Sequence, residues 1–174
     1  MKKFVVCLVA LFSSYSYAQT SMGLCEYGNE TVANITCYGK AVLDGTKVTG
    51  SLTVMGPLLI KGGTVNELNV KGPLTTIGSH VLGDTVVYGP IKAVDSSYQG
   101  SVTDYSDFMS VENSQFAQKV IINSDSDFHD AKLQVGNHST LSKGVLFAKH
   151  KGVVEVDQNS QILGEISNGQ MLQH

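Results

Sequence analysis

From Lys40 onward the chain alternates apolar and polar residues in short bursts, as in Leu52-Thr53-Val54, Leu68-Asn69-Val70 and Leu133-Gln134-Val135. A period of two sends successive side chains to opposite faces of an extended strand, one toward a core and one toward solvent. Val, Ile and Thr fill the bursts, and Gly or Asn interrupts them every five to eight residues. Branched side chains suit a pleated, half-buried surface, and the breaks mark turns. No stretch keeps a 3.6-residue period for three turns. Residues 103–119 carry the weakest strand signal and are compatible with a short helix.

The bursts recur. An apolar anchor, a short polar or small spacer and a second apolar pair read Val48…Leu52-Thr53-Val54, Val65…Leu68-Asn69-Val70 and Val81…Val86-Val87. The series goes on through Tyr98…Val102, Phe116…Val120-Ile121-Ile122, Phe128…Leu133-Gln134-Val135, Leu141…Val145-Leu146-Phe147 and Ile162…Ile166. The anchors Val48, Val65, Val81, Tyr98 and Phe116 stand 17, 16, 17 and 18 residues apart; beyond them the intervals are 12, 13 and 21. All three prolines fall into the same frame, as Met55-Gly56-Pro57-Leu58, Lys71-Gly72-Pro73-Leu74 and Tyr88-Gly89-Pro90-Ile91. Proline has no N–H to give a sheet ladder, so Gly-Pro at a fixed period marks a corner.

A repeat of about 17 residues built of short strands matches one turn of a three-sided coil. The expected fold is all-β, a single-stranded β-solenoid whose stacked coils share one apolar interior. Its ends need caps, because a bare rung exposes unpaired backbone. The expected organisation is a leader over residues 1–18, a cap over 19–39, the solenoid over 40–166 and a polar tail over 167–174.

The leader rests on Lys2 and Lys3, the apolar run from Phe4 to Phe12 and the small residues of Ser16-Tyr17-Ala18. That is the layout of an export signal cleaved near Ala18, and the apolar run is too short to span a bilayer. The expected location is the periplasm or the extracellular space, with no membrane span. Beyond the leader stand Cys25 and Cys37. A lone pair of cysteines in an exported chain predicts a disulfide, here stapling the cap.

Charge narrows the partners. Ten of the twelve basic residues lie beyond Lys2 and Lys3, all of them lysine, against fifteen acids. The exported chain therefore carries a formal charge of about −5 and lacks the guanidinium fork that grips phosphates, so nucleic acid is not an expected partner. No metal site or cofactor motif is expected either. Asp125, Asp127 and Asp130 lack the Gly and closing Glu of a calcium loop. The five histidines fall at different places in the repeat. Aromatics gather after residue 87, and Tyr98, Asp104, Tyr105, Asp107 and Phe108 crowd one irregular coil. Aromatic rings beside carboxylates form the candidate ligand site, with a glycan as the candidate ligand.

Rungs such as Val48-Thr49-Gly50-Ser51-Leu52-Thr53-Val54, repeating at about seventeen residues, resemble those of bactofilins, polymer-forming cytoskeletal β-helix proteins of bacteria. The resemblance covers residues 40–166 and is closest over residues 40–102. It implies a right-handed β-helix that assembles end to end without nucleotide. A cleaved leader and a stapled N-terminal segment depart from that family. Ile77-Gly78-Ser79-His80-Val81-Leu82-Gly83-Asp84 is similar to one turn of hexapeptide-repeat acyltransferases, in which His80 would be the general base, but the period here is no steady multiple of six. The expected function is a non-enzymatic scaffold of the cell envelope or exterior, engaging a protein partner or itself. The alternative is a carbohydrate-binding or carbohydrate-active β-helix.

Overall fold

The computed structural model describes residues 17–125 and 130–174. The expected leader and the anchor Phe128 thus fall largely or wholly outside the described residues. The described chain is all-β, with no helix, and its parallel strands stack as a solenoid of about nine turns. The weak 103–119 stretch is also strand, at Val102–Asp104, Phe108–Glu112 and Gln115–Phe116.

Each coil contributes a strand to three faces. Face 1 stacks Thr31–Val32, His80–Val81, Ser97–Tyr98, Gln115–Phe116, Thr140–Leu141 and Gln161–Ile162. Face 2 stacks Ala18–Met22, Asn34–Tyr38, Thr85–Val87, Val102–Asp104, Val120–Ile122, Val145–Phe147 and Ile166–Ser167. Two long strands, Lys47–Val54 and Thr64–Val70, serve both and join them into one sheet. Face 3 is a separate nine-stranded sheet running from Cys25–Tyr27 to Gly169–Gln173.

Strict register turns the repeat into columns. Val48 faces Val65, Val65 faces Val81, Val81 faces Tyr98, Tyr98 faces Phe116 and Phe116 faces Leu141, so the sequence anchors form one buried column on face 1. Alanine, leucine and isoleucine build a second on face 3 through Ala41, Leu58, Leu74 and Ile91. Every rung thereby buries apolar area on three sides, at roughly 25 cal/mol per Å².

The step from Phe116 to Leu141 corrects the tail of the repeat. Leu133-Gln134-Val135 has the alternation of a face 2 strand but pairs with Met109-Ser110-Val111 on face 3. The intervals of 12 and 13 are one coil of 25 residues, lengthened at the corner between faces 2 and 3. The next coil is lengthened at that corner too, over residues 148–151. Period-two alternation is the same on every face, so an insertion erases the phase that would tell them apart.

In the regular coils that corner is where Gly-Pro sits. The backbones of successive coils touch there: a Cβ on Gly56 would meet the Gly39 carbonyl oxygen at 2.5 Å, and one on Gly72 the Gly56 carbonyl at 2.7 Å. The corner between faces 3 and 1 uses positive φ instead, at Gly45, Gly62 and Gly78 and then at Asp95, Asn113, Asn137 and His138. Asp and Asn are the side chains that tolerate this conformation best. The turn then ends on a buried hydroxyl, at Thr46, Ser79, Ser96, Ser114 and Ser139, except after Gly62, where Gly63 takes that place. The backbone N–H of Ser79 donates to Ser96 Oγ, Ser96 to Ser114, Ser114 to Ser139 and Ser139 to Ser160, at 2.9–3.3 Å. Backbone N–H groups that the turn would orphan are satisfied by this ladder.

Cys25 and Cys37 form the expected disulfide. Both lie in the interior, on faces 3 and 2 of adjoining coils, and are at most 3% exposed. The residues expected to form a cap are themselves rungs, since Ala18–Met22 pairs with Asn34–Tyr38 and Cys25–Tyr27 with Ala41–Leu43. Pairing also runs beyond residue 166, where Gly169–Gln173 lies against Gly152–Val156. The disulfide thus cross-links two rungs from inside, because their inward columns converge.

Two predictions follow from these contacts. Gly72→Ala should lower stability by about 1–3 kcal/mol, since backbone cannot yield as a side chain can. Gly28→Ala, where nothing lies within 4 Å, should stay within about 0.5 kcal/mol; urea melts of the pair measure the contrast. Replacing both Cys25 and Cys37 with Ala should cost about 2–4 kcal/mol, and reductant should then leave the variant's midpoint unmoved.

Candidate functional site

The candidate residues Tyr98, Asp104, Tyr105, Asp107 and Phe108 fall within one coil, the sixth, but not on one surface. Tyr98 is an inward anchor, 1% exposed, stacked on Phe116 with ring centroids 4.5 Å apart. Its hydroxyl meets Thr76 Oγ1 at 2.9 Å across the core. Burial pushes its phenol pKa up, and the Thr76 hydrogen bond offsets only part of that. Tyr98 therefore fills a wider stretch of core, where a bulk ligand cannot reach its ring.

Asp104 is inward as well, fully buried in the column Val54, Val70, Val87, Asp104, Ile122. The residue that makes this tolerable is Ser106, which stands where the preceding coils have the Gly of Gly-Pro. Its N–H donates to Asp104 Oδ1 at 2.9 Å, and its hydroxyl lies 3.0 Å from Oδ2. Burial raises the Asp104 carboxyl to about 7, opposed by the Ser106 hydrogen bonds and reinforced by the Asp107 charge. A carboxyl of this kind holds its proton in mildly acidic water.

The other three face outward. Tyr105 stacks on Tyr88 one coil below, 4.5 Å between centroids and 5° between planes. Phe108 is 38% exposed at the start of a face 3 strand, and Asp107 is exposed beside it. An external ligand at this corner would touch Tyr105, Asp107 and Phe108 but neither Tyr98 nor Asp104.

The lengthened corners above carry the charge that the sequence scattered. Lys149 pairs with Asp125 between adjacent coils, and Asp130 and Lys151 line a cavity of about 300 Å³ with Gly152, Asn168 and Gln170. Asp127 and His129 lie outside the described residues. Among the described residues no three His, Cys, Asp or Glu side chains converge as a cation site would require.

His80 is exposed on face 1, its Nδ1 2.7 Å from Ser97 Oγ on the next coil. It borders a groove of about 820 Å³ that crosses four coils and also touches Gln99, Gln115, Thr140 and Ser142. Face 1 was not singled out in the sequence. Its outward residues stand immediately before the anchors, at Lys47, Thr64, His80, Ser97, Gln115, Thr140 and Gln161, so the repeat frame would have revealed a column that carries no Lys, Asp or Glu beyond Lys47.

Comparison with known protein families, curated proteins and solved structures finds no match for the chain.

Asp104 predicts a pH dependence. Its folded pKa is above the unfolded value near 3.9, so the native state binds the extra proton between the two. The stability that Asp104 contributes should be greatest below about pH 4, fall as pH rises toward 7 and level off beyond. The span should approach roughly 2–4 kcal/mol. Asp104→Asn should flatten that part of the profile in denaturant titrations run from pH 4 to 8.

Proposed function

We propose that this protein is an exported, non-enzymatic β-solenoid that serves as a structural or interaction scaffold in the cell envelope or outside the cell. The observation that carries this reading is the uninterrupted stack of coils. About nine rungs share one core and parallel ladders, and such a body is a rigid rod that presents side chains at a fixed rise. Export is supported by the buried Cys25–Cys37 bond, which suits an oxidising compartment. It is also supported by the leader-like residues 1–18.

Self-association is the mechanism this architecture favours, in keeping with the resemblance to bactofilins. On the ninth coil, Met171 occupies the inward column above Val154 but is 54% exposed, and Leu163 and Leu172 are 65% and 46% exposed. A rung with apolar inward positions and strand edges is complementary to another rung.

The test is light scattering and negative-stain microscopy of the exported chain across a concentration series. The expected result is concentration-dependent growth in mass, cut at least tenfold in apparent affinity by Met171→Glu with Leu172→Lys at unchanged thermal stability. A particle of single-chain mass at every concentration, with no retained protein partner, would remove the scaffold reading's mechanism.

A further inference from the structure

The groove on face 1 has a chemistry of its own. Three other cavities are lined with charge: Glu67 and Asp84 on face 2, Asp130 and Lys151 at the lengthened corner, and Glu112, Glu155 and Asp157 on face 3. The face 1 groove is the largest of these four, about 820 Å³, and no Lys, Asp or Glu lines it. Its wall is mostly amide, hydroxyl and imidazole, from His80, Ser97, Gln99, Gln115, Thr140 and Ser142, completed by the methyl of Ala117 and an edge of the buried Tyr98. From the structure we infer that this groove binds an uncharged, extended oligosaccharide lying along the solenoid axis.

The lining selects the occupant by exclusion and by match. Anionic polymers need cations to replace their counterions, and cationic ones need carboxylates; this wall offers neither. An apolar ligand would seek aromatic surface, but the rings beneath, Tyr98 and Phe116, are each 1% exposed. A β-strand peptide binds by adding to a sheet edge. Ser97–Tyr98 and Gln115–Phe116 are each paired on both sides, so their backbones are spent. Only side chains remain to make contact, and Gln, Ser and Thr each donate and accept. Such a wall suits a chain that carries hydroxyl groups at every repeat.

Spacing agrees. Side chains of successive coils stand about 4.8 Å apart, the separation of paired strands, so four coils extend over roughly 14 Å. An extended pyranose chain advances by nearly one rung per sugar. Each ring would then meet one coil: His80 first, Ser97 and Gln99 second, Gln115 third, Thr140 and Ser142 last. The Ser97 hydroxyl, 2.7 Å from His80 Nδ1, fixes the imidazole at one end of the row. This site is distinct from the Tyr105–Phe108 corner and does not depend on self-association.

The experiment is affinity electrophoresis of the full chain in gels containing dextran, mannan, a β-1,3-glucan or hydroxyethylcellulose, with polygalacturonate as the anionic comparison. At least one neutral polymer should retard the protein, and polygalacturonate should not. Gln99→Glu with Gln115→Glu should weaken that retardation at least tenfold, whereas Thr75→Glu, on the outside of face 3, should leave it unchanged. Gln115→Ala with Thr140→Ala provides a second test without added charge and should weaken it by a smaller factor. No retardation by any neutral polymer, retardation by polygalacturonate alone, or equal retardation of all variants overturns the proposal. So does a change of oligomeric mass in the Glu variant with glycan retardation intact, which would mean that a second copy covers this face.

Discussion

Everything in this molecule depends on backbone hydrogen bonds that run parallel to the solenoid axis and set the rise from coil to coil. Once that rise is constant, a residue's nearest neighbour is its counterpart about seventeen positions away. Like must then sit on like. Columns of Val, Leu and Ile satisfy the interior, and the column Ser79, Ser96, Ser114, Ser139, Ser160 satisfies one turn. A column tolerates little chemical variety, because each member is solvated by the ones above and below.

The three corners obey the same constraint by different means. One relies on left-handed backbone followed by a buried hydroxyl, which keeps its length constant through most of the stack. The corner between faces 2 and 3 depends on close backbone contact, where even a methyl group would collide. It is also the corner at which the stack relaxes. Past Gly89 the glycine column ends at Ser106, an extra residue enters before Phe108, and the next two coils lengthen. Asp104 sits at that transition. The hydroxyl and N–H that replace glycine there hold a carboxyl that the column would otherwise reject.

A scaffold and a ligand-binding surface are compatible in such a body. The inward positions define the rod, whereas outward positions are free to vary, face by face. Face 3 carries ion pairs between neighbouring coils, Lys92 with Glu112 and Lys132 with Glu155. Face 1, over most of its length, carries no formal charge in its outward column. Solvent-exposed pairs of this kind contribute little stability, so the difference between faces bears on recognition rather than on folding.

The sequence alone determined the fold class, the period, the Gly-Pro corner and the disulfide pair. These are properties of spacing, and a stacked chain reads out as a repeat in one dimension. It also supplied the face 1 anchors, since apolar residues at a steady interval have no other use. Only the tertiary structure decided which way single residues point. Tyr98 and Asp104 were grouped with Tyr105, Asp107 and Phe108 because they are close in sequence, but alternation along a strand and a turn between strands divide them into two buried and three outward. The same ambiguity hid the true phase of Leu133-Gln134-Val135 and the continuity of residues 18–38 with the coils above. Alternation says that a residue faces in or out relative to its neighbours; hydrogen-bonded register across coils says which, and next to what.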